Sequence, residues 1–146
     1  MGFYMEFKLY EHTTQYYETD QMGIIHHSNY IRWMEEARVD LLQQAGMSMT
    51  TIEKKGVLIP VLSVSCEYRS MTRFGETVTV ELRIVKYNGI KMQIEYEIRD
   101  KHTKELRAVG SSCHCFLSKD GKLLALKKHY PEIDAIFEAF MRGRER

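Results

Sequence analysis

A carboxylate and two imidazoles share one short run, Glu18-Thr19-Asp20-Gln21-Met22-Gly23-Ile24-Ile25-His26-His27. A carboxylate can attack an electrophilic carbon or take a proton from water, and an imidazole can orient water or substrate. Directly after the histidines the pattern turns helical, so Asp20 lies just ahead of a helix N-terminus. Free backbone N–H groups and a partial positive charge collect there. Two readings follow. Asp20 caps a turn, as Asp commonly does. Alternatively, the helix end polarises a substrate carbonyl while Asp20 attacks it or activates water. Spacing alone leaves both open.

The helix that must position these groups is well marked. Tyr30, Trp33, Met34, Ala37, Leu41, Leu42 and Ala45 fall on one face at a period near 3.6. Ser28 or Asn29 is expected to cap its start, and Gly46 to end it in a left-handed conformation. Roughly 17 residues at about 1.5 Å each make a rod of about 25 Å, the length of a central helix in a small domain.

The rest of the chain reads as strands. Met5, Phe7 and Leu9 alternate with charged residues, and the extended pattern runs on loosely to Tyr17, so one long first strand is expected, irregular near Tyr10 to His12. Met47 to Gly56 reads as a short helical turn leading into a loop. Val57 to Ser70 alternates, with Pro60 marking the start or an edge. The runs around Val78–Ile84 and Met92–Ile98 alternate cleanly about Asn88-Gly89, a strong hairpin signal. Glu105 to Leu117 changes phase, which a bulge near Gly110 reconciles. Pro131 opens a final short helix with a face of Ile133, Ile136, Phe137 and Phe140. The basic Arg142–Arg146 tail is expected to fray. One long helix between a first strand and four later antiparallel strands is an α+β pattern, in which a sheet wrapped around the helix buries both apolar faces.

The run Tyr17-x-Thr19-Asp20-x-x-Gly23-Ile24-Ile25-x-His27-x-x-Tyr30, followed by Glu35-x-Ala37-Arg38, resembles the signature of hotdog-fold acyl-CoA thioesterases. The similarity is to the 4-hydroxybenzoyl-CoA thioesterase-like branch, including the thioesterases associated with the Tol-Pal system. The resemblance implies a hotdog fold: about five antiparallel strands around one central helix, with residues 1–146 forming one domain. It implies hydrolysis of an acyl-CoA thioester, with Asp20 as nucleophile or general base and the His27 amide holding the thioester oxygen. The His27 imidazole is a second candidate for a chemical role. Gly23 and Ile25 fall in the matched signature as substrate-side positions. Lys86 and Lys91, flanking Asn88-Gly89, are candidates for the CoA phosphates, with Arg69 and Arg73 as further options. No cofactor is implied, since coenzyme A is part of the substrate. Relatives assemble as homodimers or homotetramers with sites at subunit interfaces.

A sister lineage carries its carboxylate on the central helix, where Glu35 stands here. With Asp20 present, Glu35 is expected to be structural and paired with Arg38. An acyl-carrier-protein thioester is an alternative substrate, and a non-catalytic acyl-CoA-binding module an alternative function. Trp33, Tyr17 and Tyr68 are candidates to line an aryl pocket.

Composition narrows the field. The 146 residues fit one domain with a real core, and the formal net charge of +1 gives no bulk case for nucleic acid or membrane binding. No apolar run approaches about 18 residues and no signal-peptide pattern opens the chain, which leads to the expectation of a cytoplasmic protein. Three cysteines argue against a disulfide framework. Cys113 and Cys115 flank His114 on a strand, so their sulfurs face away from the imidazole. No metal site is expected, and the cysteines read as small buried hydrophobes.

Overall fold

The computed structural model describes residues 7–144. In chain order the elements are β1 (Tyr10–Thr13), α1 (Ser28–Gln44), α2 (Met49–Lys54), β2 (Val61–Tyr68), β3 (Thr77–Tyr87), β4 (Lys91–Asp100), β5 (Leu106–Cys115), α3 (Leu126–His129) and α4 (Pro131–Arg144). The five strands form one antiparallel sheet in the order β1-β3-β4-β5-β2. α1, α2 and α4 meet one face of it. Trp33 and Met34 from α1, Ile52 from α2, Val78 and Ile84 from β3, Ile98 from β4, and Ile133 from α4 are fully or almost fully buried together. The opposite face is charged, with Glu97 bridged to Arg83 at 3.6 Å and Arg99 at 2.6 Å. This is the α+β arrangement the alternation calls for: one apolar face per strand, wrapped on one helix.

Several elements depart from the sequence expectation. The long first strand is four residues, Tyr10–Thr13, and its expected start at Met5 lies outside the described residues. At Thr14 the N–H still donates in register to the Glu76 carbonyl (3.0 Å), while the hydroxyl donates to the Arg73 carbonyl (3.1 Å). Tyr16–Glu18 then coils into a 3₁₀ turn. The strand expected over Val57–Ser70 is Val61–Tyr68, beginning after Pro60. α2 is capped by the Ser48 hydroxyl, which accepts from the Thr51 N–H at 3.2 Å. α3 is an added short turn before α4, and the expected fraying does not begin at Arg142, since α4 continues to Arg144.

The bulge in β5 sits at Arg107, not near Gly110. Ile98 pairs with Ala108 and Arg99 with Leu106, leaving Arg107 as the extra residue. Arg107 and Ala108 are consequently both buried, and the strand's phase flips there. Arg107 answers its burial with Glu105 (2.8 Å), Glu76 (3.4 Å) and Asp100 (3.5 Å). Gly110 serves close approach instead: a Cβ there would stand 2.2 Å from Met34 Cε and 2.9 Å from the Ser65 carbonyl.

Candidate active site

The run from Glu18 to His27 folds into a small hairpin ahead of α1. Thr19 bridges Ile25, Asp20 N–H donates to the Ile24 carbonyl (2.8 Å), and His26 N–H donates to the Glu18 carbonyl (2.8 Å). At its tip Gly23 N–H closes on the Asp20 carbonyl (3.1 Å), with Gly23 at φ +78°, a conformation glycine adopts without strain. The hairpin is tied to the body of the fold where Ile24 bridges Arg73 and Ile25 N–H donates to the Thr72 carbonyl (2.9 Å). Ile25 is buried in the core, whereas Gly23 is exposed.

Asp20 is half-buried beside this tip. Its Oδ1 accepts from Met22 N–H at 2.8 Å and, more weakly, from Ile24 N–H at 3.4 Å. Among the described residues Oδ2 takes part in no hydrogen bond. One carboxylate oxygen caps the turn and the other stays open.

The helix start is organised differently from the expected Ser28 or Asn29 cap. His27 occupies the capping position in a helical conformation, with no side-chain cap. Asn29 uses its amide as a donor instead, to the Glu18 carbonyl (3.0 Å) and the His26 carbonyl (3.2 Å). Ser28 N–H donates to His26 Nδ1 at 3.2 Å. Among the described residues no hydrogen bond takes up the His27 N–H, which leaves it as a donor at the positive end of α1. The His27 ring is exposed and stacks on His26 at 4.2 Å. The His27 carbonyl accepts from Tyr68 Oη at 3.0 Å. Burial, together with the Cys66 hydrogen bond, pushes the Tyr68 phenol up to about 12, so it holds that proton at neutral pH.

Behind the hairpin lies a buried brace that pattern reading passed over. The Glu18 carboxylate accepts from Gln15 N–H (2.7 Å) and Trp33 Nε1 (2.9 Å), and its two oxygens lie 2.9 and 3.1 Å from His12 Nε2. Burial pushes this carboxyl up, but the hydrogen bonds from His12, Gln15 and Trp33 outweigh it and hold the group below its ordinary range. His12 Nδ1 in turn lies 3.5 Å from Glu36, which also accepts from the Tyr10 hydroxyl. Glu18 thus links β1, the hairpin and α1 through both its side chain and its carbonyl. The available signal was a capping-box spacing, Gln15 to Glu18, ahead of the motif.

The other candidates are scattered. Lys86 and Lys91 are exposed at the far end of β3 and β4. Nine steps at about 3.3 Å put Lys86 roughly 30 Å along β3 from Thr77, the end that carries the hairpin. The fold of one subunit does not bring them to Asp20. Arg73 is at the hairpin itself, and Arg69 is exposed just past β2. Trp33 is fully buried and braces Glu18, and so lines no pocket; Tyr17 is 81% exposed. Glu35 and Arg38 form no ion pair among the described residues. Among those residues no group of three or more His, Cys, Asp or Glu side chains is placed to hold a metal, and no helix is long and apolar enough to cross a membrane.

The fold agrees with what comparison finds. Residues 3–137 match the family model of the thioesterase-like superfamily, and the chain belongs to that family, a class of thioester hydrolases with the hotdog fold. Among individual proteins it is 37% identical over 125 residues to the "Putative acyl-CoA thioesterase YneP" of Bacillus subtilis, covering 85% of this chain and 90% of that one. Its structure is similar to that of the DHNA-CoA thioesterase from Staphylococcus aureus, with a TM-score of 0.83 and 30% identity over 89% of this chain and 87% of that one. It is also similar to a hypothetical protein from Aquifex aeolicus, with a TM-score of 0.82 and 26% identity over 89% and 98% of the two chains.

Proposed function

We propose that this protein hydrolyses acyl-CoA thioesters, with the Asp20 carboxylate and the His27 N–H acting on the same carbonyl. Sulfur overlaps poorly with a carbonyl, so a thioester carbon is already electrophilic and thiolate leaves readily. What remains is to stabilise the oxyanion and to supply an oxygen nucleophile. A donor aimed at the oxyanion is typically worth about 3–4 kcal/mol, and the His27 N–H at the head of α1 is that donor. Asp20 either attacks the carbon, giving an anhydride that water then opens, or takes a proton from the attacking water. In the first route the CoA thiolate leaves as the anhydride forms. In the second it leaves as the tetrahedral adduct collapses to the acid. The observation that carries this reading is the single hydrogen-bonded unit of hairpin and helix start, which presents an unused carboxylate oxygen and an unused N–H.

The names of the relatives support CoA as the carrier. Arg73 and Arg69 are the basic groups on the hairpin side available to its phosphates, while Lys86 and Lys91 serve only from another subunit. A second copy is part of the proposal. β2 is an edge strand, and Val61 (47%), Leu62 (54%) and Val64 (40%) are exposed along it. An unpaired apolar edge of this kind calls for a partner, and pairing β2 with its symmetry mate supplies one. Tyr68, at the end of that edge, touches the His27 carbonyl, so the second copy would wall the site.

The test is thiol release from a panel of short, long and aromatic acyl-CoAs, run beside Asp20→Asn and Glu35→Gln. Turnover lost in the first variant and largely kept in the second supports the reading. No turnover on any member makes the protein a binding module, and the reverse pattern moves the carboxylate to α1.

A further inference from the structure

Away from the hairpin, between the second half of α1 and the sheet, lies a cavity of about 220 Å³. Most of its wall is apolar, including Leu42, Ile94 and Phe137, but Glu35, Arg38, Glu53 and His114 also line it. Arg38 and His114 are the two ends of one chain of hydrogen bonds. Arg38 Nη1 donates to Tyr96 Oη (2.9 Å), Tyr96 Oη lies 2.6 Å from Ser112 Oγ, and Ser112 Oγ lies 2.7 Å from His114 Nε2. A guanidinium can only donate, so Tyr96 Oη accepts from Arg38, and Ser112 joins that hydroxyl to the imidazole. His114 is 1% exposed, and its Nδ1 is itself buried with no hydrogen-bond partner among the described residues. Burial, then the nearby Arg38 charge, pushes the imidazole down to about 4, so it is neutral; the Pro60 carbonyl pulls the other way without closing a proper hydrogen bond. Arg38 is half-buried, and among the described residues no carboxylate lies within ion-pair distance of it. Arg38 thus gives the polar end of the cavity donors and a positive charge, with Glu35 and Glu53 exposed on the wall.

The cavity is in line with the proposed site. His27, Ile31, Glu35, Arg38 and Leu42 follow the 4-4-3-4 spacing of one helix face, and Ile31, between site and cavity, is 38% exposed. At about 1.5 Å per residue, Glu35 lies about 12 Å and Arg38 about 16 Å beyond His27 along α1. An extended chain advances about 1.2 Å per bond, so roughly ten bonds span the gap. At about 30 Å³ for a water-sized group, the cavity holds about seven such groups.

Resting on the thioesterase reading above, we propose that this cavity receives the far end of the acyl group and selects chains of about ten carbons that end in a hydrogen-bond-accepting oxygen, a carboxylate above all. An apolar terminus leaves the free N–H groups of the Arg38 guanidinium without an acceptor, and an oxygen terminus supplies one. Arg38 is the specificity-determining residue here, held by Tyr96, and takes no part in breaking the thioester.

The experiment compares decanoyl-CoA with decanedioyl-CoA in turnover, and the S-decyl and S-(9-carboxynonyl) thioethers of CoA in calorimetric binding. Each pair differs only at the chain's far end. Wild type is expected to favour the carboxylate member at least tenfold in both kcat/KM and Kd. Arg38→Met should bring both ratios to about one, whereas a purely structural role would lower both substrates together and keep the ratios. Tyr96→Phe keeps the ring and the packing, and should lower the preference severalfold if Arg38→Met does not fold. Turnover and binding that ignore the chain terminus overturn this inference and leave the hydrolase reading intact, as does a preference unchanged in both variants. No turnover of either thioester, with the Kd preference present, overturns the hydrolase reading and leaves the pocket standing.

Discussion

The two ends of α1 are built in opposite ways. At its N-terminus the groups that matter lie in one continuous run, Glu18 to Asn29, held mostly by hydrogen bonds within that run. At its C-terminal half, Arg38, Tyr96, Ser112 and His114 come from three separate elements and meet only because the sheet's register brings them there. The first is a local device and the second a product of topology. Chemistry common to a family can be carried by a short signature, while selection among substrates can sit in contacts that no short stretch contains.

The largest effect should come from the local device. Asp20→Asn is expected to lower kcat/KM for acyl-CoA by about 10²- to 10⁴-fold while leaving the melting temperature close to wild type, since Asn also accepts from Met22 N–H. Loss of fold together with activity would instead make Asp20 a structural cap. In the assembled region, His114→Gln should change pH dependence and not the chemistry. The imidazole's folded value of about 4 lies below its ordinary 6.5, so the stability it contributes is complete above pH 6.5 and is lost as pH falls through about 4. That loss is on the order of 3 kcal/mol in wild type and should be absent from the variant's acid limb, read by denaturation between pH 7 and 4.

Glu18→Gln tests whether the hairpin stands alone. It removes charge from the hydrogen bonds of His12 and Trp33 and should destabilise the fold by about 1–3 kcal/mol at pH 7. Because the Glu18 carboxyl is held below its ordinary 4.5, its contribution is present above that pH and fades as pH falls further, so variant and wild type should converge in acid. Activity at a temperature where both are folded should fall as well, since the Glu18 carbonyl also holds His26 and Asn29. Smallest is Tyr68→Phe, which removes one hydrogen bond to the His27 carbonyl. About 1 kcal/mol is expected, seen as a severalfold fall in kcat with little change in KM.

Sequence pattern captured what repeats locally. The stripe from Tyr30 to Ala45 marks α1, alternation marks β3 and β4 about Asn88-Gly89, and Asp20-x-x-Gly23 marks the hairpin tip that requires glycine's positive φ. It failed where distant partners decide. The run to Tyr17 looks like more strand, but Tyr16–Glu18 coils where the Glu18 side chain turns inward. The phase change in β5 is visible, but its position at Arg107 depends on Asp100, Glu76 and Glu105 arriving to neutralise a buried guanidinium. Glu18 reads as an ordinary turn residue, and only His12 and Trp33 make it a brace. The basic residues beside the β3–β4 turn were attractive by charge, and the length of β3 carries them away from Asp20.

The central claim is that Asp20 and the His27 N–H face one carbonyl carbon. A crystal structure of Asp20→Asn holding uncleaved decanoyl-CoA addresses it most directly. The thioester oxygen should lie about 3 Å from the His27 nitrogen, with the residue-20 side chain about 3–3.5 Å from the carbonyl carbon. A thioester bound with its oxygen turned away from the head of α1, or with Glu35 and not residue 20 beside its carbon, would contradict the account.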